Sequence, residues 1–219
     1  MRGPARPPRA LRRAPWTAAA LAALDFETTG LDPARDAVVS FGVVPVLEGR
    51  VVVGEAVYRE VAPSAPLTAT SIVVHGLRPA DLAGAPGLEE ARVELATALA
   101  GRFVLAWAAG VEAGFLARIF GGSTRAWRRR IIDVLRLAEV AGEVPEDGRP
   151  SLAAVAARLR VPVERPHHAL DDALTTAQVF LVLASRLAPR GYDTPGRLLR
   201  ASRSVPAPRG PGRVAAGAA

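Results

Sequence analysis

The sequence contains no cysteine, and that absence removes disulfides, thiolate nucleophiles and cysteine-based zinc sites at once. It fits a reducing compartment, and a cytoplasmic location is expected. Histidine is nearly as scarce, with only His75, His167 and His168. A metal site here would be built mainly from carboxylates, and oxygen ligands of that kind suit Mg²⁺ or Mn²⁺. Lysine is missing altogether: all 28 basic residues are arginine. Neither a Gly-x-Gly-x-x-Gly run nor a phosphate loop occurs, which argues against a dinucleotide-binding fold or a P-loop enzyme. Long apolar runs are absent too. The stretch near the start, Trp16 to Leu24, is too short to span a bilayer, and no membrane association is expected. Arg12-Arg13 ahead of it has the flavour of an export signal, but cleavage after that run would damage the strand that carries Asp25 and Glu27.

What is present is a chain of 219 residues, half of them apolar, enough for one domain with a buried core plus tails. Its net charge of +7 suggests a nucleic-acid partner until it is located. Residues 1–14 carry five Arg and no acid, and residues 190–219 carry six Arg and one acid, Asp193. Between them 17 Arg face 20 acids, so the folded part is slightly acidic. GC-rich coding also produces arginine without lysine. Basic tails add nonspecific attraction to phosphate.

Residues 1–15 are rich in Pro, Arg and Ala and read as a disordered tail. Ala18 to Phe26 reads as a short apolar strand, followed by a turn over Thr28 to Pro33. Ala37 to Leu47 and Val51 to Val61 read as two more strands, making a three-stranded antiparallel meander. Leu88 to Ala100 has helical periodicity, Arg102 to Trp107 reads as a buried strand and Val111 to Phe120 as a helix. Ile131 to Ala141 begins as a strand and becomes a helix. Ser151 caps a helix to Leu159, and His168 to Leu187 is a long closing helix. Residues 16–188 form the expected domain, and 189–219 a flexible basic tail. The layout is α/β, with a mixed sheet flanked by helices.

Two motifs carry chemistry. In Asp25-Phe26-Glu27, a strand puts residues i and i+2 on one face, so the two carboxylates point together and Phe26 enters the other layer. Two like charges held close repel, and a divalent cation between them relieves that repulsion. In His167-x-Ala-x-x-Asp172, Asp172 lies one turn inside the last helix. His167 sits at that helix's start, where a neutral imidazole can take a proton from water near neutral pH.

Asp25-Phe26-Glu27-Thr28-Thr29-Gly30, His75-Gly76, Phe115-Leu116, Asp133 and His167-His168-Ala169-Leu170-Asp171-Asp172-Ala173, in that order, resemble the DEDDh exonucleases. That family includes the proofreading ε subunit of bacterial DNA polymerase III and has an RNase H-like fold. The likeness covers about residues 18–187. It implies a 3′→5′ exonuclease in which Asp25, Glu27, Glu112 and Asp172 hold two Mg²⁺ or Mn²⁺ ions and His167 deprotonates the attacking water. It implies that Thr28, Thr29 and Gly30 bring backbone and hydroxyls close to the terminal nucleotide. It also places His75 near the substrate end of the cleft, and reads Asp133 as structural.

The middle motif departs from the family pattern, His-Asn-x-x-Phe-Asp-x-x-Phe-Leu. Here the run is Trp107-Ala108-Ala109-Gly110-Val111-Glu112-Ala113-Gly114-Phe115-Leu116. Trp107-Ala108 replaces His-Asn, and the fourth carboxylate is Glu112, one methylene longer than Asp. The resemblance thus implies a nuclease acting on single-stranded 3′ ends of DNA or RNA, in proofreading, repair or turnover. Beside it stand a weakened or inactive nucleic-acid-binding module of the same fold and an oligoribonuclease-like enzyme for short substrates. A polymerase or another protein as partner is left open by the sequence.

Overall fold

The computed structural model describes residues 3–145 and 150–203. Its six-stranded sheet holds β1 (Leu21–Thr28), β2 (Val38–Leu47), β3 (Arg50–Val51), β4 (Val57–Glu60), β5 (Phe103–Ala106) and β6 (Ile131–Asp133). The strand order is β3-β2-β1-β5-β6, and β4 also pairs with β2. β2 runs antiparallel to β1, β3 and β4, whereas β5 and β6 run parallel to β1. The expected mixed sheet, antiparallel on one side and parallel on the other, is what the chain forms.

Period-2 alternation divides the core into two layers. Leu21 and Ala23 of β1 pack with Val44, Phe103, Leu105 and Ile132 beneath α5 (Val134–Ala141), α6 (Leu152–Leu159) and α7 (Ala169–Leu187). Ala22, Leu24 and Phe26 pack with Phe41, Val43 and Val104 beneath α2 (Leu88–Leu99), α3 (Gly110–Phe120) and α4 (Thr124–Arg128). By the same alternation, Asp25 and Glu27 fall on the α7 face, while Phe26 lies 6.2 Å from Phe115 of α3.

Glycines permit two close approaches that set the site. Gly42 pairs with Asp25 across β1 and β2. A Cβ on it would lie 2.5 Å from the Leu170 Cα, so only glycine lets the first turn of α7 rest on the sheet. A Cβ on Gly114 would collide with the Pro33 ring, so α3 sits tight against the turn after β1. Arg118 fastens the same contact by donating from Nη1 to the Pro33 carbonyl at 2.7 Å.

Several sequence expectations need correction. The segment Val51–Val61 is not one strand: around Gly54 it forms a 3₁₀ turn, Val53–Glu55, between β3 and β4. A helix, α1 (Ala69–His75), opened by a Thr68/Ser71 capping box, occupies what reads in the sequence as a loop and a short segment. The α4 turn after Gly121-Gly122 was likewise not anticipated. Residues 3–15 are docked, not loose: Pro4 is buried, Gly101 donates its N–H to the Ala5 carbonyl at 3.0 Å, and Arg9–Arg12 form a 3₁₀ turn. Composition misled here because prolines fix the backbone and little side-chain burial is needed. Beyond residue 189, the expected flexible tail instead forms α8 (Pro195–Ala201), capped by Thr194, with Leu198 and Leu199 buried. Threonine followed by proline is a helix-start signal that the arginine content obscured. The rest of that tail, and positions 146–149, lie outside the described residues. Among the described residues no helix is long and apolar enough to cross a membrane.

Candidate active site

At the carboxyl end of β1 a cleft of ≈ 680 Å³ opens between the two helical layers. Asp25, Glu27, Glu112, His167 and Asp172 all line it, and so do Thr28, Thr29 and Gly30. Four chain segments therefore supply one acidic centre. β1 contributes Asp25 and Glu27, α3 contributes Glu112 from its first turn, and α7 contributes Asp172. His167 comes from the turn just before α7.

Oxygen or nitrogen donors of Glu27, His167 and Asp172 lie within 4.8 Å of one another, close enough to share a metal ion. Asp25 and Glu112 complete the centre electrostatically. Burial holds the Asp25 carboxyl well above its usual range, and the charges of Glu112, Glu27 and Asp172 push it further. Glu27 is raised to about 7 by burial and by Asp172. Burial raises Glu112 to about 8, against its own backbone N–H and with added repulsion from Asp133. Asp172 is raised as well, chiefly by burial, though the His167 N–H opposes this. Glu112 is 5% exposed, and among the described residues its Oε2 has no hydrogen-bond partner. Four carboxylates that resist ionisation, one with an unpartnered buried oxygen, are what a cation site requires and what an apolar core avoids. The donor set thus fits hard divalent cations.

The His167 backbone lies in the left-handed region, φ +62°, which is unfavourable for a non-glycine residue. Its N–H donates to the Asp172 Oδ2 at 2.9 Å, so the same carboxylate that faces the cleft also fixes the turn carrying the histidine. Arg165 pairs with Asp171 at 2.6 Å, and His168 stacks on Tyr58 with ring centroids 4.6 Å apart. These contacts brace the turn from both sides and leave the His167 side chain exposed to solvent.

The expectation for the two threonine hydroxyls changes in detail. The Thr29 hydroxyl is buried and committed to the turn, accepting from the Ala37 N–H at 3.0 Å and donating to Asp36 at 3.3 Å. The Thr28 hydroxyl donates to the Gly30 carbonyl at 2.7 Å. Both threonines therefore shape the loop instead of offering free hydroxyls. Gly30 permits the fold-back, since a Cβ there would lie 2.5 Å from the Asp36 carboxylate. His75 is not part of the cleft wall, although Ser71 and Val74 of the same helix are, but it lies near enough to His167 that this neighbour adds to burial in holding its imidazole below the usual range. Its Nδ1 accepts from the Leu77 N–H at 3.1 Å, closing the turn after α1. Asp133 caps α5, accepting from the Arg136 N–H at 3.3 Å. Sequence reasoning missed Gly42, the α1 residues Thr70, Ser71 and Val74, and the cleft position of Ser151 and Leu152. The Thr68-x-x-Ser71 spacing was the one available signal for α1.

The exonuclease family model of the RNase T type matches residues 22–180, from β1 to within α7. The chain belongs to the exonuclease family. Its motifs make it a DEDDh, DnaQ-like exonuclease of RNase H-like fold. Over 193 residues, 87% of the chain, it is 33% identical to a DNA polymerase III subunit epsilon-like protein of Rhodobacter capsulatus. It is also 33% identical to a PolC-type DNA polymerase III of Thermotoga petrophila over 162 residues, 72% of the chain. The chain spans only 27% of the first relative's length and 11% of the second's. Among solved structures, Exonuclease X in complex with 5′ overhanging duplex DNA matches with a TM-score of 0.63 at 20% identity, covering 83% of this chain and 99% of that one. E. coli Exonuclease I in complex with a dT13 oligonucleotide matches with a TM-score of 0.67 at 18% identity, covering 80% of this chain and 43% of that one.

Proposed function

We propose that this exonuclease removes nucleotides one at a time from the 3′ end of single-stranded DNA, with two Mg²⁺ or Mn²⁺ ions as cofactors. The observation that carries the proposal is the convergence of Glu27, His167 and Asp172 within 4.8 Å, in a cleft that Asp25 and Glu112 also line. Asp25, Glu27, Glu112 and Asp172 would hold the cations. Bound there, the cations supply positive charge against the attacking water and the departing 3′ oxygen.

The chain's own residues account for the remaining work. The exposed His167 imidazole takes a proton from water as the new O–P bond forms. The P–O3′ bond breaks, and the departing 3′ oxygen acquires a proton from solvent. The products are a nucleoside 5′-monophosphate and a strand one residue shorter with a 3′ hydroxyl. Leu31, Val74, Trp107 and Val111 give the cleft an apolar wall suited to a base. DNA as the polymer is supported by the duplex DNA bound to Exonuclease X and the dT13 oligonucleotide bound to Exonuclease I, both of the same fold. The burial of Glu112 beside Asp25 favours an active centre over an inactive binding module.

The test is digestion of a 5′-labelled oligonucleotide by the purified chain with Mg²⁺ or Mn²⁺. A ladder shortening from the 3′ end is expected, and Asp25→Ala should abolish it. No product from DNA or RNA with either metal would overturn the proposal. Parallel rates on dinucleotides separate a long-strand enzyme from one for short substrates, and a DNA/RNA comparison fixes the sugar preference.

A further inference from the structure

The arginines that the sequence places at its two ends are not scattered in the fold. Arg6, Arg9, Arg12 and Arg13 of the docked amino-terminal segment line a cleft of ≈ 800 Å³. Arg102, Arg129, Arg130 and Arg200 line it from the ends of α2, α4 and α8. Among the described residues that line it, none is acidic. The cleft also touches Phe103 and Val104, the first residues of β5, and so lies at the amino end of the parallel strands. Leu21, the β1 partner of Phe103, is four residues from Asp25, or about 13 Å along the strand. The basic cleft and the acidic centre therefore occupy opposite ends of one sheet.

The positive charge is poorly neutralised. Among the described residues, no carboxylate pairs with Arg6, Arg9, Arg12, Arg13 or Arg129, and Arg102 pairs with Glu55 at 3.3 Å. Arg130 is held below its usual range by burial and by Arg6, and Arg203, just beyond α8, by burial and by Arg12, Arg129 and Arg200. The backbone bearing these side chains is fixed. The Arg130 guanidinium donates to the Pro4 carbonyl at 3.4 Å and lies 4.1 Å from the Trp127 ring centre. Gly196 allows α8 to sit against the Arg12 carbonyl, where a Cβ would come within 2.6 Å of the oxygen. A fold that gathers like charges on a rigid frame has an unmet demand for anions, and guanidinium forks match phosphate oxygens in pairs.

We propose that this arginine-lined cleft is a second nucleic-acid site, gripping the phosphate backbone of a strand remote from the catalytic cleft. The choice of nucleic acid among polyanions rests on the proposed nuclease reading. Phosphodiester backbones offer a regular row of single charges, which suits a row of arginines along one cleft. Held there, a long substrate stays on the enzyme between cuts, whereas a dinucleotide gains nothing.

The test uses the full chain freed of divalent metal and a 5′-fluorescein 30-nucleotide strand followed by anisotropy. The set Arg6→Ala, Arg9→Ala, Arg12→Ala and Arg13→Ala should weaken binding about tenfold or more. It should lower the slope of log affinity against log salt by about 3, at about 0.7 per phosphate contact. The matching Arg→Lys set keeps the charges and should keep the slope. Dinucleotide hydrolysis should be unchanged in both sets. Unchanged affinity and slope in the alanine set would overturn the proposal, as would an equal loss in the lysine set. An acidic peptide of equal charge competing as well as the oligonucleotide would also overturn it. Arginine-dependent binding without hydrolysis would sink only the nuclease reading, and hydrolysis with arginine-independent binding only this one.

Discussion

Replacing Glu112 by glutamine keeps the shape of a buried side chain and removes its charge, which separates what the carboxylate costs the fold from what it contributes to the site. The residue is 5% exposed and its carboxyl is raised from 4.5 to about 8. Below about pH 4.5 the proton is largely bound in both folded and unfolded chains, and at pH 4.5 only half of the unfolded chains have lost it, so the metal-free variant and wild type differ little. Between pH 4.5 and about 8 the unfolded chain has released a proton that the folded chain keeps, and wild-type stability falls as pH rises. Above that window the folded chain carries the charge and the loss is complete. At about 1.4 kcal/mol per pK unit the shift caps the effect near 5 kcal/mol. We expect about 2–3 kcal/mol, because water enters the open cleft and solvates the ionised group. Urea unfolding of chelator-dialysed protein at pH 4.5 and pH 8 reads this directly. Glu112→Gln should be the more stable protein at pH 8 and nearly equal at pH 4.5. Added Mg²⁺ or Mn²⁺ should then raise the midpoint of wild type more than that of the variant. Parallel pH slopes in the two proteins, or a variant less stable at pH 8, would refute the reasoning.

His167→Gln should lower kcat by about 10²–10⁴-fold with little change in melting temperature, since the side chain is exposed and its backbone N–H still reaches Asp172. A loss under tenfold on a 5′-labelled strand would remove the histidine as base. Gly42→Ala forces a methyl against the Ala169–Leu170 backbone and should cost about 1–3 kcal/mol in urea unfolding. Activity should drop with it, because α7 carries Asp172; full activity would show that the helix position does not matter. Glu112→Asp pulls the carboxylate back by one methylene, and Mg²⁺ tolerates displaced ligands poorly. The ratio of Mn²⁺-supported to Mg²⁺-supported rates should change by about threefold or more, and an unchanged ratio would place Glu112 outside the metal set.

The site was legible where spacing alone determines proximity. Asp25 and Glu27 share a strand face by period 2, and His167 and Asp172 share one helix start, so both pairs could be placed without a structure. Glu112 was reachable only through the resemblance, because nothing local links a first-turn helix acid to a strand 85 residues earlier. The closing helix and β5 were legible from length and apolar content. What failed was what depends on partners far away in sequence. Gly54 breaks a strand that reads as continuous, since its apolar residues keep their pattern across the 3₁₀ turn. Thr29 looked available for substrate because a sequence does not show that Ala37 and Asp36 claim its hydroxyl. The two ends read as loose because arginine and proline content says nothing about Gly196 and Gly101 accepting them.

The acidic centre works against the stability of its own fold. Burial raises Asp25, Glu27, Glu112 and Asp172 alike, the charges of Glu112, Glu27 and Asp172 push Asp25 further, and that of Asp172 pushes Glu27. Such a cluster survives only if the elements bearing it cannot spread apart. Gly42 and Gly114 supply that restraint, because Gly42 brings the α7 backbone onto β2 and Gly114 brings α3 against the Pro33 ring. Arg118 with Pro33 adds a clamp at the second junction, and Arg165 with Asp171 ties the turn that carries His167 to the start of α7. The glycines therefore bear on function through geometry alone. A methyl at either position would let the carboxylates relax outward, easing their repulsion while loosening the cation site that the repulsion creates.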